Sequence, residues 1–309
     1  MSTPTGFVNA HTHLELGPLA DLLPERMDFT EWIQRLIARR AELTAADYQR
    51  AIDAAIGGLV DAGTVAVGDI SATGHSVEPL LASGLAGVVY LEVLGLDPAL
   101  SLPRLRETQS RIDQLRRREG RMRIGLTIHA PYSSAAELFE QAAAWCRAED
   151  VPLAVHIAES PDEVQFVRHG TGPLAALNQR FSPQIRWQAP GCSPIKYMER
   201  LGVLAARPLL IHGVQVDGDD LAAIRASGAA VVHCPRSNER LITGRMPLER
   251  YLALGIPLAL GTDSLASSPS LDVRDELAFA RELHGELAAP ADLEAMATSG
   301  GLAALGVAA

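Results

Sequence analysis

A chain of 309 residues, 48% hydrophobic and 21% charged, has the apolar content for one large core and the balance of an ordinary globular protein. Its 27 basic and 37 acidic side chains leave a net charge of −10, which disfavours nucleic acid and anionic membrane surfaces as partners. Cys146, Cys192 and Cys234 are widely spaced, form no zinc-type pair and suit reduced thiols in the cytoplasm. No signal peptide or bilayer-length apolar run is visible.

Eight short aliphatic or β-branched runs alternate with helix-like stretches. Strands are expected at Gly6–Ala10, Thr64–Ile70, Ala86–Val93, Arg123–Ile128, Leu153–His156, Pro208–Ile211, Ala229–His233 and Pro257–Gly261. Helices are expected at Ala45–Asp61, Pro103–Arg118, Ser134–Glu149, Asp219–Ala226 and Asp272–Leu287. The strand runs are apolar on consecutive positions, as strands buried on both faces are. Glycine closes several helices just before the next strand, as at Ala62-Gly63, Ser83-Gly84 and Ser227-Gly228. Eight βα units, in a chain longer than the roughly 250 residues such folds need, predict a (β/α)8 TIM barrel in a single domain over residues 1–309. An open doubly wound sheet would want a glycine-rich phosphate loop after an early strand, and the sequence has none. Two long excursions, Leu14–Arg40 and Ser182–Pro194, are placed to cover the active-site face. Arg116-Arg117-Arg118 falls in a helical stretch and reads as a solvated face.

His11 and His13 stand two apart at the end of the first strand, so both imidazoles leave the same side. Surface histidines also produce His-x-His, so the pair gains meaning only if other residues complete a shell. Six of the nine histidines, His11, His13, His129, His156, His212 and His233, fall at the C-terminal ends of expected strands. That is the end where barrel enzymes build their sites. Asp263 follows the eighth strand, and Glu159 lies three residues beyond His156, where it can serve proton transfer or simply favour a helix N-terminus. Lys196, the only lysine, falls in a loop away from any strand end. Glu92 ends the third strand, as a wall residue, a supporting acceptor or a carboxylate bridge between two ions.

The segments Asn9-Ala10-His11-Thr12-His13-Leu14-Glu15, His129-Ala130-Pro131-Tyr132-Ser133 and His156-Ile157-Ala158-Glu159 occur in that order. They are followed by His212-Gly213, His233-Cys234-Pro235-Arg236-Ser237-Asn238 and Gly261-Thr262-Asp263-Ser264. In these segments the chain resembles the amidohydrolase superfamily, specifically its mononuclear-metal deaminase and chlorohydrolase branch. The resemblance implies that His11, His13, His156 and Asp263 hold one divalent metal ion, zinc or else iron. It implies catalytic roles for Glu159, His212 and Asp263, with His212 contacting the water on the metal or standing as a distant further ligand. It also implies substrate contacts by His129, Trp32 and Arg40, and has Arg236, Ser237 and Asn238 facing the site, with Arg236 and Asn238 on substrate, or bracing its loops. Two-metal members bridge their ions with a carbamylated lysine on a central strand, which the position of Lys196 excludes.

Adenosine-type deaminases carry a glutamate for the ribose hydroxyls near Ala41; here it is absent, although Glu42 is adjacent. The stretches Phe29–Arg40, Gly68-Asp69-Ile70-Ser71 and Glu92-Val93-Leu94-Gly95 look more like aminodeoxyfutalosine deaminases. The expected activity is therefore hydrolytic deamination of a small aminated heterocycle, aminodeoxyfutalosine or another purine-like compound. The alternatives are a hydrolytic dechlorinase and a non-catalytic metal-binding barrel. Family members also carry a small β-sandwich flanking the barrel in sequence. This chain is expected to lack it, to expose apolar patches in consequence, and to self-associate as a homo-oligomer.

Overall fold

The computed structural model describes residues 6–22 and 24–307, which form a parallel sheet of eight strands, each hydrogen-bonded to its successor in sequence. The strands are β1 (Phe7–Thr12), β2 (Thr64–Ser71), β3 (Ala86–Val93), β4 (Met122–Ile128), β5 (Leu153–Ile157), β6 (Leu209–His212), β7 (Ala230–His233) and β8 (Leu258–Leu260). The sheet closes on itself where Thr12 bridges in parallel to Asp263. Beside that bridge the buried Asn9 amide donates to Thr262 Oγ1 at 2.8 Å and accepts from Thr262 N at 3.0 Å. The architecture is the expected (β/α)8 barrel.

Expected and observed strands agree to within two residues, and the helix Ala45–Asp61 has the expected bounds, fixed by a capping box between Thr44 and Asp47. The helix expected from Pro103 starts instead at Pro98, because Asp97 caps it by accepting from Ala99 N, and Pro103 rides within its second turn. Lys196 lies on a helix (Pro194–Arg200) rather than in a loop and bonds Glu199, still away from every strand end. The excursion after β1 is a 3-10 segment, Leu14–Leu22, followed by the helix Phe29–Arg40.

The two faces of the sheet bury different residues. Val8, Ala10, Ala66, Val88, Tyr90, Ala154, Ile211, Val232 and Ala259 form the barrel interior, closed at the N-terminal end by Leu302 and Leu305. Small side chains recur there because eight strands leave little space inside. The alternate residues, among them Val67, Leu91, Leu126, Val155 and Leu210, pack outward against Ile52, Leu105, Leu138 and Ile224 of the helices. Each such buried side chain contributes roughly 1.5–3 kcal/mol. No helix among the described residues is long and apolar enough to cross a membrane. The large exposed apolar side chains, such as Val60, Leu100, Phe181 and Leu287, sit on separate elements.

His233 continues the outer face of β7, two residues after Val231, and so turns away from the other strand-end histidines. Its Nε2 lies 3.1 Å from His284 Nε2, while Arg245 donates to His284 Nδ1 at 3.2 Å. An arginine only donates, so His284 carries its proton on Nε2 and gives it to His233. Burial first, and then the Arg245 charge, push the His284 imidazole down to about 4. Its folded pKa is thus below the unfolded value of about 6.5, and between the two the unfolded chain binds more protons. Stability contributed by neutral His284 is accordingly lost as pH falls from about 6.5 to about 4. Thermal denaturation across that window should show a steeper fall in Tm for the wild type than for His284→Gln; parallel slopes would contradict this account.

Candidate active site

Strand alternation by itself does not bring the site together. Val8 and Ala10 face the barrel interior and Phe7 packs outward, so an unbroken strand would send Asn9 and His11 outward as well. Between Asn9 and Thr12, however, β1 advances three residues while β2 advances two, from Val67 to Asp69. This bulge re-aims His11 inward, and His13 follows it on the same side. Gly261 makes room: a Cβ there would stand 2.7 Å from His11 Cβ. On β6, His212 would share the outer face of Leu210, but a left-handed backbone at φ 77° turns its ring into the site. Ala158 (φ 51°) and Asp263 (φ 60°) are bent likewise at the ends of β5 and β8. Such conformations cost about 1–3 kcal/mol each and persist only where the surroundings impose them.

The result is a compact donor cluster. His11, His13 and His156 each offer a ring nitrogen within 4.8 Å of the others. His13 Nε2 and His156 Nε2 are 3.1 Å apart, and Asp263 Oδ1 is 3.6 Å from Nε2 of both His11 and His13. Three features fit a metal ion. Both ring nitrogens of His11 are buried without a hydrogen-bond partner. His156 donates Nδ1–H to the His129 carbonyl at 3.2 Å, which leaves Nε2 a lone pair facing the cluster. Burial, and then the neighbouring imidazoles, hold His13 and His156 well below the usual range and so neutral. Three neutral imidazoles and a carboxylate are a donor set for a divalent ion with a position left for water.

Burial alone would raise the Asp263 carboxyl, but the adjacent imidazoles outweigh it and keep the group well below its ordinary range. Its Oδ2 accepts from Ser237 Oγ at 2.6 Å and Ser267 Oγ at 3.0 Å, so Oδ1 alone faces His11 and His13. Glu159 is the opposite case. It is 4% exposed, and desolvation, reinforced by the Asp263 and Glu163 charges, pushes its carboxyl well above the usual value. Its Oε1 lies 3.4 Å from His212 Nε2. Glu163 fixes the turn that carries it, accepting from the backbone N–H groups of Ala158 and Glu159 at 2.9 and 2.8 Å. Burial lowers His212 to about 3 and His129 to about 4.

The remaining expected residues divide. His129 stands at the mouth, where Ser133 gives its hydroxyl proton to Ala130 O and so accepts from His129 Nδ1–H at 2.7 Å. His129 Nε2 is thereby left an acceptor. Arg40, half-buried, brings a charge near both His129 and Glu92. Glu92 follows Tyr90 on the inner face of β3, its carboxyl raised by burial to about 7, and is not among the clustered donors.

Three of the expected substrate contacts have their polar groups engaged within the protein. Arg236 has all three guanidinium nitrogens committed, to Glu276, Ser270 and Asp275. The Asn238 amide meets His212 Nδ1 at 3.2 Å and is 1% exposed. Trp32 is buried, with its indole N–H donated to Ala266 O at 2.9 Å. Sequence reading placed Ser237 at the site without its partner Asp263, and missed Ser267 on Asp263 and Glu163 behind Glu159. Only Glu163 left a local signal, the Ser160-x-x-Glu163 pattern of a helix start.

The profile of the amidohydrolase family matches residues 4–309. The chain is 36% identical over 289 residues to aminodeoxyfutalosine deaminase of Deinococcus radiodurans, covering 90% of this chain and 67% of that one. It is 31% identical over 315 residues to 5-methylthioadenosine/S-adenosylhomocysteine deaminase of Halobacterium salinarum, covering 97% of this chain and 68% of that protein. Among solved structures, Helicobacter pylori aminofutalosine deaminase in complex with methylthio-coformycin superposes with a TM-score of 0.85 at 26% identity, over 97% of this chain and 74% of that one. Atrazine chlorohydrolase of Arthrobacter aurescens, complexed with zinc, gives 0.81 at 21% identity over 98% and 71%, a likeness of fold.

The donor cluster sets its own test. Titration of the metal-free protein with zinc should show binding of a single ion and a rise in Tm. At free zinc about one hundred times Kd the gain in unfolding free energy is about 2.7 kcal/mol. His11→Ala should abolish that rise while retaining the circular dichroism of the fold; an unchanged rise would remove His11 from the donor set.

Proposed function

Because the chain belongs to the amidohydrolase family, we propose that it is a metal-dependent hydrolytic deaminase of an aminated heterocycle, with aminodeoxyfutalosine or a related purine nucleoside as substrate. The observation that carries this reading is a buried carboxyl, Glu159, its proton affinity raised by burial, 3.4 Å from His212 Nε2 beside a cluster of three imidazoles and Asp263. Likeness to two kinds of purine-nucleoside deaminase supports the substrate class.

His11, His13, His156 and Asp263 would hold the metal, for which we propose zinc, an ion well matched to histidine and carboxylate donors. When bound, such an ion supplies Lewis acidity that brings the pKa of water toward neutrality. In this reaction water adds to the ring carbon bearing the amine, ammonia leaves, and a carbonyl remains. Glu159 delivers its proton to the ring nitrogen next to that carbon, which makes the carbon electrophilic. Asp263 Oδ1, the carboxylate oxygen not bound by serines, takes the proton that the water loses. The proton on Asp263 then passes to the amine, which leaves as ammonia; the ring nitrogen keeps the proton from Glu159, and the hydroxyl proton released as the carbonyl forms restores Glu159. His212 stabilises negative charge on the attacking oxygen. His129 Nε2 accepts from a substrate donor, and Arg40 provides the cationic side of the mouth. Three free cysteines fit a reducing compartment, and we place the enzyme in the cytoplasm.

An ammonia-release screen of the zinc-loaded protein against purines, pyrimidines and aminodeoxyfutalosine tests the assignment. Glu159→Gln should lower kcat about 10²–10⁴-fold with metal content unchanged. Absence of ammonia from every amine, with the metal bound, would overturn the proposal.

A further inference from the structure

We propose that Asn238 is a positioning residue for His212. Its side-chain amide donates to His212 Nδ1, fixes the imidazole as the Nε2–H tautomer, and thereby makes His212 a hydrogen-bond donor to the reacting centre rather than a metal ligand through Nε2.

Asn238 lies on the short helix Pro235–Arg240 after β7, in the segment that also supplies Ser237 to Asp263. Its backbone is tied at both ends: the N–H donates to Cys234 O at 3.0 Å, and its carbonyl accepts from Thr243 N at 3.0 Å and Thr243 Oγ1 at 3.3 Å. The side chain is therefore delivered to one place, with Nδ2 3.2 Å from His212 Nδ1 and both residues 1% exposed.

The orientation of the amide decides the chemistry, and hydrogen-bond accounting decides the orientation. As placed, one N–H of the amide serves His212, while its second N–H and the buried Oδ1 have no hydrogen-bond partner. Turned over, Oδ1 would accept from His212 Nδ1–H and the NH2 group would occupy that partnerless position, leaving two buried donors orphaned. Orphaned buried donors are rarer and more costly than an under-satisfied acceptor. The first orientation stands.

A neutral imidazole that accepts at Nδ1 carries its proton on Nε2. That N–H lies 3.4 Å from Glu159 Oε1, at the edge of the donor cluster. A protonated Nε2 has no lone pair for a metal, and the clustered donors are His11, His13 and His156 without His212. A fixed N–H is suited to stabilising negative charge that develops on an attacking oxygen. Adjacent residues of one short helix thus orient two different groups: Ser237 turns Oδ1 of Asp263 inward, and Asn238 turns a proton of His212 inward.

The tautomer can be read without any substrate, so it stands or falls separately from the deaminase reading on which its kinetic consequence rests. In zinc-loaded protein carrying 15N-histidine, two-bond 15N–1H correlation spectra should show His212, identified by its loss in His212→Gln, with Nε2 protonated and Nδ1 bare. Asn238→Asp places an acceptor against Nδ1 and should reverse the pattern with zinc still bound. With aminodeoxyfutalosine the same variant should lower kcat about 10²–10³-fold and leave KM nearly unchanged. A wild-type His212 protonated on Nδ1 would overturn the proposal, as would an unchanged tautomer in folded Asn238→Asp. If Asn238→Asp does not fold, the wild-type spectrum decides alone.

Discussion

The closure of β1 against β8 is the contact on which the rest of the molecule depends. It joins the first strand to the last across the whole intervening sequence, through the Asn9–Thr262 amide pair and the Thr12–Asp263 bridge. Asp263 N also donates to His11 O at 3.1 Å, so the same seam that shuts the barrel brings two imidazoles and a carboxylate together. A buried pair such as Asn9–Thr262 costs about 1–3 kcal/mol if one partner is left unsatisfied. Here that penalty falls on the register of the site as well as on stability.

One physical cause, desolvation, prepares the candidate site in two opposite directions. It lowers the imidazoles of His13, His156 and His212 and raises the carboxyl of Glu159, the directions that the proposed roles of metal ligand, donor and acid require. Asp263 escapes because imidazoles surround it. An acid and a base of similar intrinsic strength are thus driven apart within one pocket, the general means by which a protein assigns the two roles.

Rigidity comes from residues behind the reacting groups. Glu163 holds the turn bearing Glu159, Ser237 and Ser267 hold Asp263, and Asn238 holds His212. Behind β1, Asp69 accepts from Thr12 Oγ1 and Leu14 N, on either side of His13. Glu15 accepts from Ser71, Thr73 and His75 and ties the segment after β1 to the loop after β2. The imidazoles therefore rest on a network of satisfied polar bonds whose members come from distant parts of the chain, consistent with the precision such sites require.

The sequence by itself determined the barrel. Consecutive apolar runs mark strands buried on both faces, and helix-stop glycines such as Gly63, Gly84 and Gly228 all take the left-handed backbone that only glycine adopts freely. It also named the residues of the donor cluster, since strand-end histidines and Asp263 are legible as positions in a repeat. It did not determine where those side chains point. Simple alternation sends His11 and His212 to the wrong face; a bulge and a left-handed turn, each imposed by neighbouring strands, bring them back. Nor could it show that Arg236 is consumed by Glu276, that His233 turns outward to His284, or that Asn238 serves His212. Local pattern sets which face a regular element presents, because its period is intrinsic to the backbone. Strain and long-range hydrogen bonds break that period, and only the assembled tertiary structure supplies them.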